Sequence, residues 1–377
     1  MSKRRITRTE TPMGTDYDQA VRAKEIRNKR MAEGRVIVKG KDLPWELNRQ
    51  GRIKFFLTDR SEDVAAPGWL VFQQEIHKHS GMHRHQGGTF IFILGGKGYS
   101  TVNGVRHDWE AGDLAILPMV PGGVAHQHFN LDPTVPALWM RVGYTPNKRL
   151  VVANWIEQFE VNPDWADKNK LQDRKVAPIV NHARTTNKDD SPRGNTLFDA
   201  LLRLRDEQRE QMKHARMVVQ GKLLPLEINP MGLFRWYVHP DMKDVGCHAQ
   251  MIYVQEIPGG SRSGKQLHQG GRFHYVLEGK GSTVIDGVRH DWEENEIILL
   301  PLSSHGVVHQ HYNSDPSKPA RLLVSEPNWV HVWGVDLGSG LDAGAGPGVP
   351  RVEVRSNGKK TLRSAQNPAE LFSENQY

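Results

Sequence analysis

A seven-residue block, GVRHDWE, stands at Gly104–Glu110 and returns unchanged at Gly287–Glu293. The same framework surrounds each copy in the same order. The first reads HRHQGG, GKG, GVRHDWE and HQHFN, and the second QLHQGG, GKG, GVRHDWE and HQHYN, with equivalent residues about 183 apart. One structural unit has been built twice, and any fold proposed for the chain must contain two of them. The framework starts upstream, where Gly40-Lys41 and Gly51 recur as Gly221-Lys222 and Gly232. With 377 residues there is room for two domains, each with a substantial core.

Within each unit the pattern is a charged helix, an entry segment and a run of short strands. The helices are read at roughly Asp16–Glu33 and Leu197–Arg216; in the second, Leu197, Leu201, Leu204 and Met212 form a helical stripe. Strands are expected at 69–76, 89–94, 99–102, 114–117 and 137–142, and in the second unit at 249–257, 272–277, 282–285, 297–300 and 320–324. Asn103-Gly104 and Asp286-Gly287 read as hairpin turns, because both residue types tolerate positive φ. Many short strands at regular spacing imply closed or sandwiched antiparallel β units, hence an all-β fold of two tandem barrels or jelly rolls with short helices before them. The expected division is a basic helical arm at 1–35, a first β unit at 36–155 and a linker at 156–196. A second unit with its leading helix follows at 197–330, then a flexible tail at 331–377.

Composition excludes several classes. The hydrophobic share is 37% and no apolar run is long enough to cross a bilayer. MSKRRITRTE is basic but lacks the apolar stretch of a secretory signal, and Cys247 is the single cysteine, so a reducing, cytoplasmic setting is expected. The net charge of +7 raises the question of nucleic acid. Between Lys3 and Arg35, however, Glu10, Asp16, Asp18, Glu25 and Glu33 interrupt the basic residues, and Tyr17 is the only aromatic, so a solvated helix is the better reading. Neither a nucleic-acid nor a membrane partner is expected.

Histidines carry the chemistry. His83 and His85 are two apart and project from one face of a strand. His126 follows the turn at Gly112-Asp113 and the strand closed by Pro118. A barrel that gathers these strands brings His83, His85 and His126 to one interior point. Three neutral imidazoles suit a borderline divalent cation such as Fe, Mn, Cu, Ni or Zn. In the second copy Gln266 replaces the first of them; His268 and His309 remain, and His274 and His305 are added. A distorted second site from His268, His274 and His309 is therefore conceivable, but function is expected mainly in the first half. Trp139 and Arg141 alternate on a later strand where the second copy has Leu322 and Val324. Arg141 is a candidate to pair a substrate carboxylate and Trp139 to stack on a ring, while Thr89 and Ile91 are expected to face inward. Arg84, between two ligands, should face away, and the paired RHDW segments read as structural.

Gly81–Gly98 resembles the first motif of the cupin superfamily, and Gly112–Asn130 the second, close at Gly112, Pro118, His126 and Asn130. The duplication makes the chain similar to a bicupin over roughly 36–325. Most metal cupins place a glutamate ligand four or five residues after the second histidine; those positions are Thr89 and Phe90 here, and Arg272 and Phe273 in the second copy. A three-histidine site without a carboxylate resembles the gentisate, salicylate and 1-hydroxy-2-naphthoate dioxygenases. That resemblance implies Fe(II) on His83, His85 and His126, and His128 as the residue that holds or protonates bound substrate. It also implies a small aromatic acid and O2 as reactants, a degenerate second cupin and a homo-oligomer. Three neutral ligands leave the site at net +2, which invites a chelating anion. Rival readings are another metal-dependent bicupin enzyme (lyase, decarboxylase or isomerase) and a non-catalytic small-ligand-binding bicupin.

Overall fold

The computed structural model describes residues 14–120, 122–149, 156–180, 194–303, 305–328, 340–349, 351–354 and 360–363. Residues 1–13 of the basic arm and much of the expected linker and tail lie outside that set. The strands of the first repeat are β1 (Ile37–Lys39), β2 (Glu46–Asn48), β3 (Gly51–Leu57), β4 (Trp69–Ile76), β5 (Met82–His85) and β6 (Thr89–Gly95). They continue as β7 (Lys97–Val102), β8 (Val105–Glu110), β9 (Leu114–Leu117), β10 (Val124–Asn130), β11 (Ala137–Tyr144) and β12 (Glu157–Glu160), and β13 (Val218–Val219) follows the second helix. The hairpin turns form as expected, with φ of 49° at Asn103 and 47° at Asp286.

Among the described residues every pairing between strands is antiparallel, beside two isolated parallel bridges at Arg35–Val64 and Arg216–Val245, and the pairings build two sheets per repeat. The first repeat holds a seven-stranded sheet in the order β13-β9-β6-β11-β4-β3-β2 and a five-stranded sheet in the order β12-β5-β10-β7-β8. The second repeat has the same two sheets. The sheets of the first repeat face one another: Ile91 and Ile93 of β6, Leu117 of β9 and Trp139 of β11 pack with Val102, Trp109 and Val124 of the opposite sheet.

The continuous apolar run of β6 has a simple cause. Ile91 and Ile93 point into this interior, whereas Phe90 and Phe92, one residue out of phase, enter a second core shared with the other repeat. In that shared core Trp69 meets Phe273 at 5.4 Å, Phe92 meets Tyr237 at 5.5 Å and Phe56 meets Tyr275 at 6.1 Å between ring centroids. Both faces of the seven-stranded sheet are thus covered, which is why β6 reads as an apolar run rather than alternating.

The repeats also trade strands. Although β1 begins the expected first unit, it pairs with Glu296–Leu299 of the second repeat, Ile37 opposite Ile298. β13 makes the reciprocal exchange, Val218 opposite Ala115 of β9. The segment expected as a linker supplies β12, which closes an edge of the five-stranded sheet against β5. The expected flexible tail supplies Gly340–Ala343, which pairs with Lys265–His268 in the same way. These edge strands are too short and too polar to announce themselves; pairing with an open sheet edge defines them.

The two helices, Asp16–Glu33 and Leu197–Lys213, each start with a capping box, Thr15 with Asp18 and Thr196 with Asp199. The stripe on the second is not covered by the described residues: Leu197 is 91% exposed and Leu201 60%. No described helix is long and apolar enough to cross a membrane.

Strand exchange and a shared core make the repeats one cooperative unit. Scanning calorimetry should therefore give a single unfolding transition with equal calorimetric and van't Hoff enthalpies; two resolved transitions would contradict this packing.

Candidate metal centre

β5 lies between β12 and β10 in the five-stranded sheet, and its register sets His83 opposite His126 and His85 opposite Val124. Alternation turns His83 and His85 inward and Arg84 outward, where Arg84 packs on Phe159 and lies 3.2 Å from Glu157. The ring centroids of His83 and His126 are 4.3 Å apart, those of His85 and His126 4.7 Å, and those of His83 and His85 5.4 Å. One nitrogen from each of the three falls within 4.8 Å of the others, and no carboxylate joins the group among the described residues.

The rings suit a metal ion by a second criterion. His126 Nδ1 lies 3.0 Å from the Val124 carbonyl, which can only accept, so the proton sits on Nδ1 and Nε2 keeps its lone pair. His85 is arranged differently, since Gly87 N–H donates to its Nδ1 at 3.0 Å. Coordination through Nε2 would move that ring's proton to Nδ1 and end the Gly87 bond. Gly87 itself is obligatory: at φ 95° its missing Cβ would lie 1.9 Å from the Pro118 carbonyl oxygen. The QGG of both repeats follows from this contact, because Gly270 meets Pro301 in the same way.

The triad opens on a cavity of about 570 Å³. Thr89, His128, Trp139 and Arg141 line it with the three histidines, and so do Ile91, Phe55 and Phe72. The sequence assigned roles to Thr89, Trp139 and Arg141 from strand alternation, and the geometry brings all three to this cavity. Trp139 presents its edge to His128 at 5.1 Å and packs on Phe72 at 5.8 Å. Arg141 is 4% exposed and donates to the Leu70 carbonyl at 2.6 Å. No carboxylate pairs with it among the described residues. Burial lowers its pKa to about 10, which leaves it charged at neutral pH.

His128 owes its orientation to residues that the sequence reading treated as purely structural. Trp109 Nε1–H donates to Ser100 Oγ at 2.9 Å, and Ser100 Oγ lies 2.7 Å from His128 Nδ1. The indole can only donate, and a serine hydroxyl that gives its own proton to His128 Nδ1 leaves the imidazole proton on Nε2. Burial, with the nearby His126, holds its pKa well below the usual value, so it is a neutral donor. Trp109 lies over Gly98, whose absent Cβ would stand 2.3 Å from the ring. This arrangement accounts for Gly98 in the repeated GKG and Trp109 in the repeated RHDW. The second repeat copies it with Trp292, Thr283 and His311. Ser100 went unnoticed because it is replaced by Thr283, and only the hydroxyl is kept.

The second set of candidates is not gathered as the first is, and among the described residues no group of metal-ligating side chains converges there. His268 and His309 are 6.5 Å apart and His274 and His309 6.4 Å, wider than any pair in the first triad. His305 is exposed. Arg272, at the position of Thr89, explains the loss. Its guanidinium bonds Glu326 at 3.1–3.2 Å and Gln266 Oε1 at 2.9 Å, and His268 Nε2 lies 2.9 Å from the same carboxylate. A tethered cation with its own counter-ion thus occupies the second barrel. Burial opposes the charge on Glu326, but Arg272 and His268 hold its pKa at about 2. Burial and then Arg272 push His311 down to about 3, and burial is also the first cause of the lowered pKa of His268, His274 and His309.

A cupin-domain family model matches residues 70–143 and 253–326, one match in each repeat. No curated protein matches the chain in sequence. Among solved structures, a variant of Bacillus subtilis oxalate decarboxylase is similar with TM-score 0.53 and 14% identity, over 78% of this chain and 77% of that one. The 11S globulin from Wrightia tinctoria is similar with TM-score 0.53 and 11% identity, over 80% and 90%. A salicylate 1,2-dioxygenase from Pseudoaminobacter salicylatoxidans overlaps more loosely, at TM-score 0.45 and 16% identity over 71% of each chain. At these identities the first two overlaps, with the two family-model matches, speak for the fold alone: two cupin domains in tandem.

Two outcomes follow. Gln266→His alone should add no metal to the protein by elemental analysis, because Arg272 remains to repel a dication. The buried neutral histidines have folded pKa values below the unfolded value of about 6.5, so the unfolded chain takes up protons first as pH falls. Each such ring should remove about 1.4 kcal/mol of stability per pH unit below roughly pH 6.5. Urea midpoints measured from about pH 7.5 to 5.5 should therefore fall steadily, and a flat profile would show that the rings are not buried as neutral groups.

Proposed function

We propose that this two-cupin chain is a metal-dependent enzyme. In this reading it binds Fe(II) through His83, His85 and His126 and uses O2 to open the ring of a small hydroxylated aromatic acid. The observation that carries the reading is Arg141: a buried guanidinium, without a carboxylate partner among the described residues, in the same cavity as three neutral imidazoles. A dication held by neutral ligands beside an uncompensated arginine calls for an anionic substrate.

When bound, the metal supplies a Lewis-acid and one-electron centre where a hydroxy acid and dioxygen can meet. The protein contributes the remaining functions. Arg141 pairs the substrate carboxylate. Trp139, Phe72 and Phe55 clamp the flat ring and keep water out. His128 donates from Nε2 to a substrate oxygen, and the Trp109–Ser100 relay keeps that proton on the cavity side. Thr89, where a glutamate would make the site more neutral, leaves the charge balance in favour of an anion.

The test combines metal content and oxygen uptake. Anaerobically purified protein should hold about one iron per chain, and His83→Ala should lose it. Wild type should consume oxygen with gentisate or salicylate, and Arg141→Met should lower kcat/KM by on the order of 10- to 100-fold, mainly through KM. Bound metal with turnover of such acids but no oxygen uptake would favour a lyase or decarboxylase on the same site. Metal without turnover would favour a binding protein.

A further inference from the structure

A second cavity, of about 560 Å³, lies between the two repeats. It backs onto the metal cavity across a single layer of strands. In β3, Ile53 and Phe55 line the metal cavity while Lys54 lines this one; in β4 Phe72 and Gln74 alternate in the same way with Gln73, and in β11 Trp139 with Leu138.

The cavity straddles the repeat, and its walls have diverged. Phe92, Ala111, Gly112 and Leu138 line it from the first copy; their equivalents Tyr275, Glu294, Asn295 and Arg321 line it from the second. At each pair the first copy presents a small or apolar group and the second a polar one. Lys54 and Trp45 come only from the first copy, with the indole 4.8 Å from the Lys54 ammonium.

The charges on the walls are unbalanced. Lys54 is 8% exposed, and its one described hydrogen bond is to the Gly40 carbonyl at 3.2 Å. No described carboxylate lies within ion-pair distance of it. Arg321 Nε is buried and has no hydrogen-bond partner among the described residues. Glu294, the one acidic group lining the cavity, is exposed. The neutral polar groups are already committed to one another: Gln73 Nε2 donates to Tyr275 Oη and Asn295 Oδ1, and Tyr275 Oη–H to Asn295 Oδ1, each at 2.9 Å. Two cations therefore remain with donors to spare beside a flat indole and apolar side chains.

We infer that the cavity between the repeats is a second ligand site, built for a small organic anion with a flat apolar body. The carboxylate or similar group lies between Lys54 and Arg321, and the body rests on Trp45 against Phe92 and Leu138. The site does not depend on a metal and is separate from the metal cavity.

The mirror positions suggest variants that the fold already accommodates. Arg321→Leu installs the residue found at Leu138, and Trp45→Leu the one found at Leu226. Calorimetric titration of the metal-free protein with 1-naphthoate should show a binding component that either variant weakens by at least about tenfold. Arg141→Met, in the other cavity, should leave that component intact, and melting curves without ligand check that each variant is folded. Binding unchanged in both leucine variants, or wholly abolished by Arg141→Met, or absent from wild type, would overturn the assignment.

Discussion

The face-to-face contact of the two seven-stranded sheets is the constraint from which the rest follows. A sheet that is apolar on one side needs one partner; these sheets are apolar on both and need two. Trp69, Phe92 and Phe273 fill the contact between repeats, while Ile91, Leu117 and Trp139 fill the interior of the first barrel. Because the outer face is anchored, the inner face can carry an open cavity, a buried arginine and several histidines without collapse. Hydrophobic burial of this kind contributes roughly 25 cal/mol per Å², enough in aggregate to offset polar groups that would otherwise weaken a small barrel.

The two barrels handle interior charge in opposite ways. In the first, the donor set is neutral, Arg141 has no carboxylate partner among the described residues, and Asp59 and Arg60 also line the cavity. In the second, Arg272 and Glu326 balance each other and occupy the space with fixed groups. The two interiors are thus filled differently, although eleven consecutive strands of framework run in parallel through both. The difference rests on few positions: His83 against Gln266, Thr89 against Arg272 and Gly143 against Glu326.

Sequence periodicity revealed what is local. The doubled GVRHDWE, the Asn-Gly and Asp-Gly turns and the His-x-His pair each carry a signal within a few residues, and the inward direction of Thr89, Trp139 and Arg141 follows from counting by twos. Contacts made at a distance were not legible. Nothing in Glu157–Glu160 or Gly340–Ala343 marks them as strands until the sheet edge they complete is known. Arg272 could be read only as the residue standing where a glutamate ligand is usual; its buried pairing needed Glu326, far along the chain. Trp109 could be recognised as repeated but not as the source of the proton order at His128, because Ser100, the link between them, changes identity between copies.

The exchange of β1 and β13 has a consequence for the order in which the chain is made. Synthesis from the N-terminus delivers β1 almost first, yet its partner at Ile298 arrives near the end. The first sheet meanwhile keeps the edge of β9 open until Val218 and Val219 have left the ribosome. A nascent chain halted between the repeats therefore holds one strand and one edge whose partners in the finished fold have not yet been made. The two halves complete each other's sheets only when both have been synthesised, a long-range closure of the kind that slows folding.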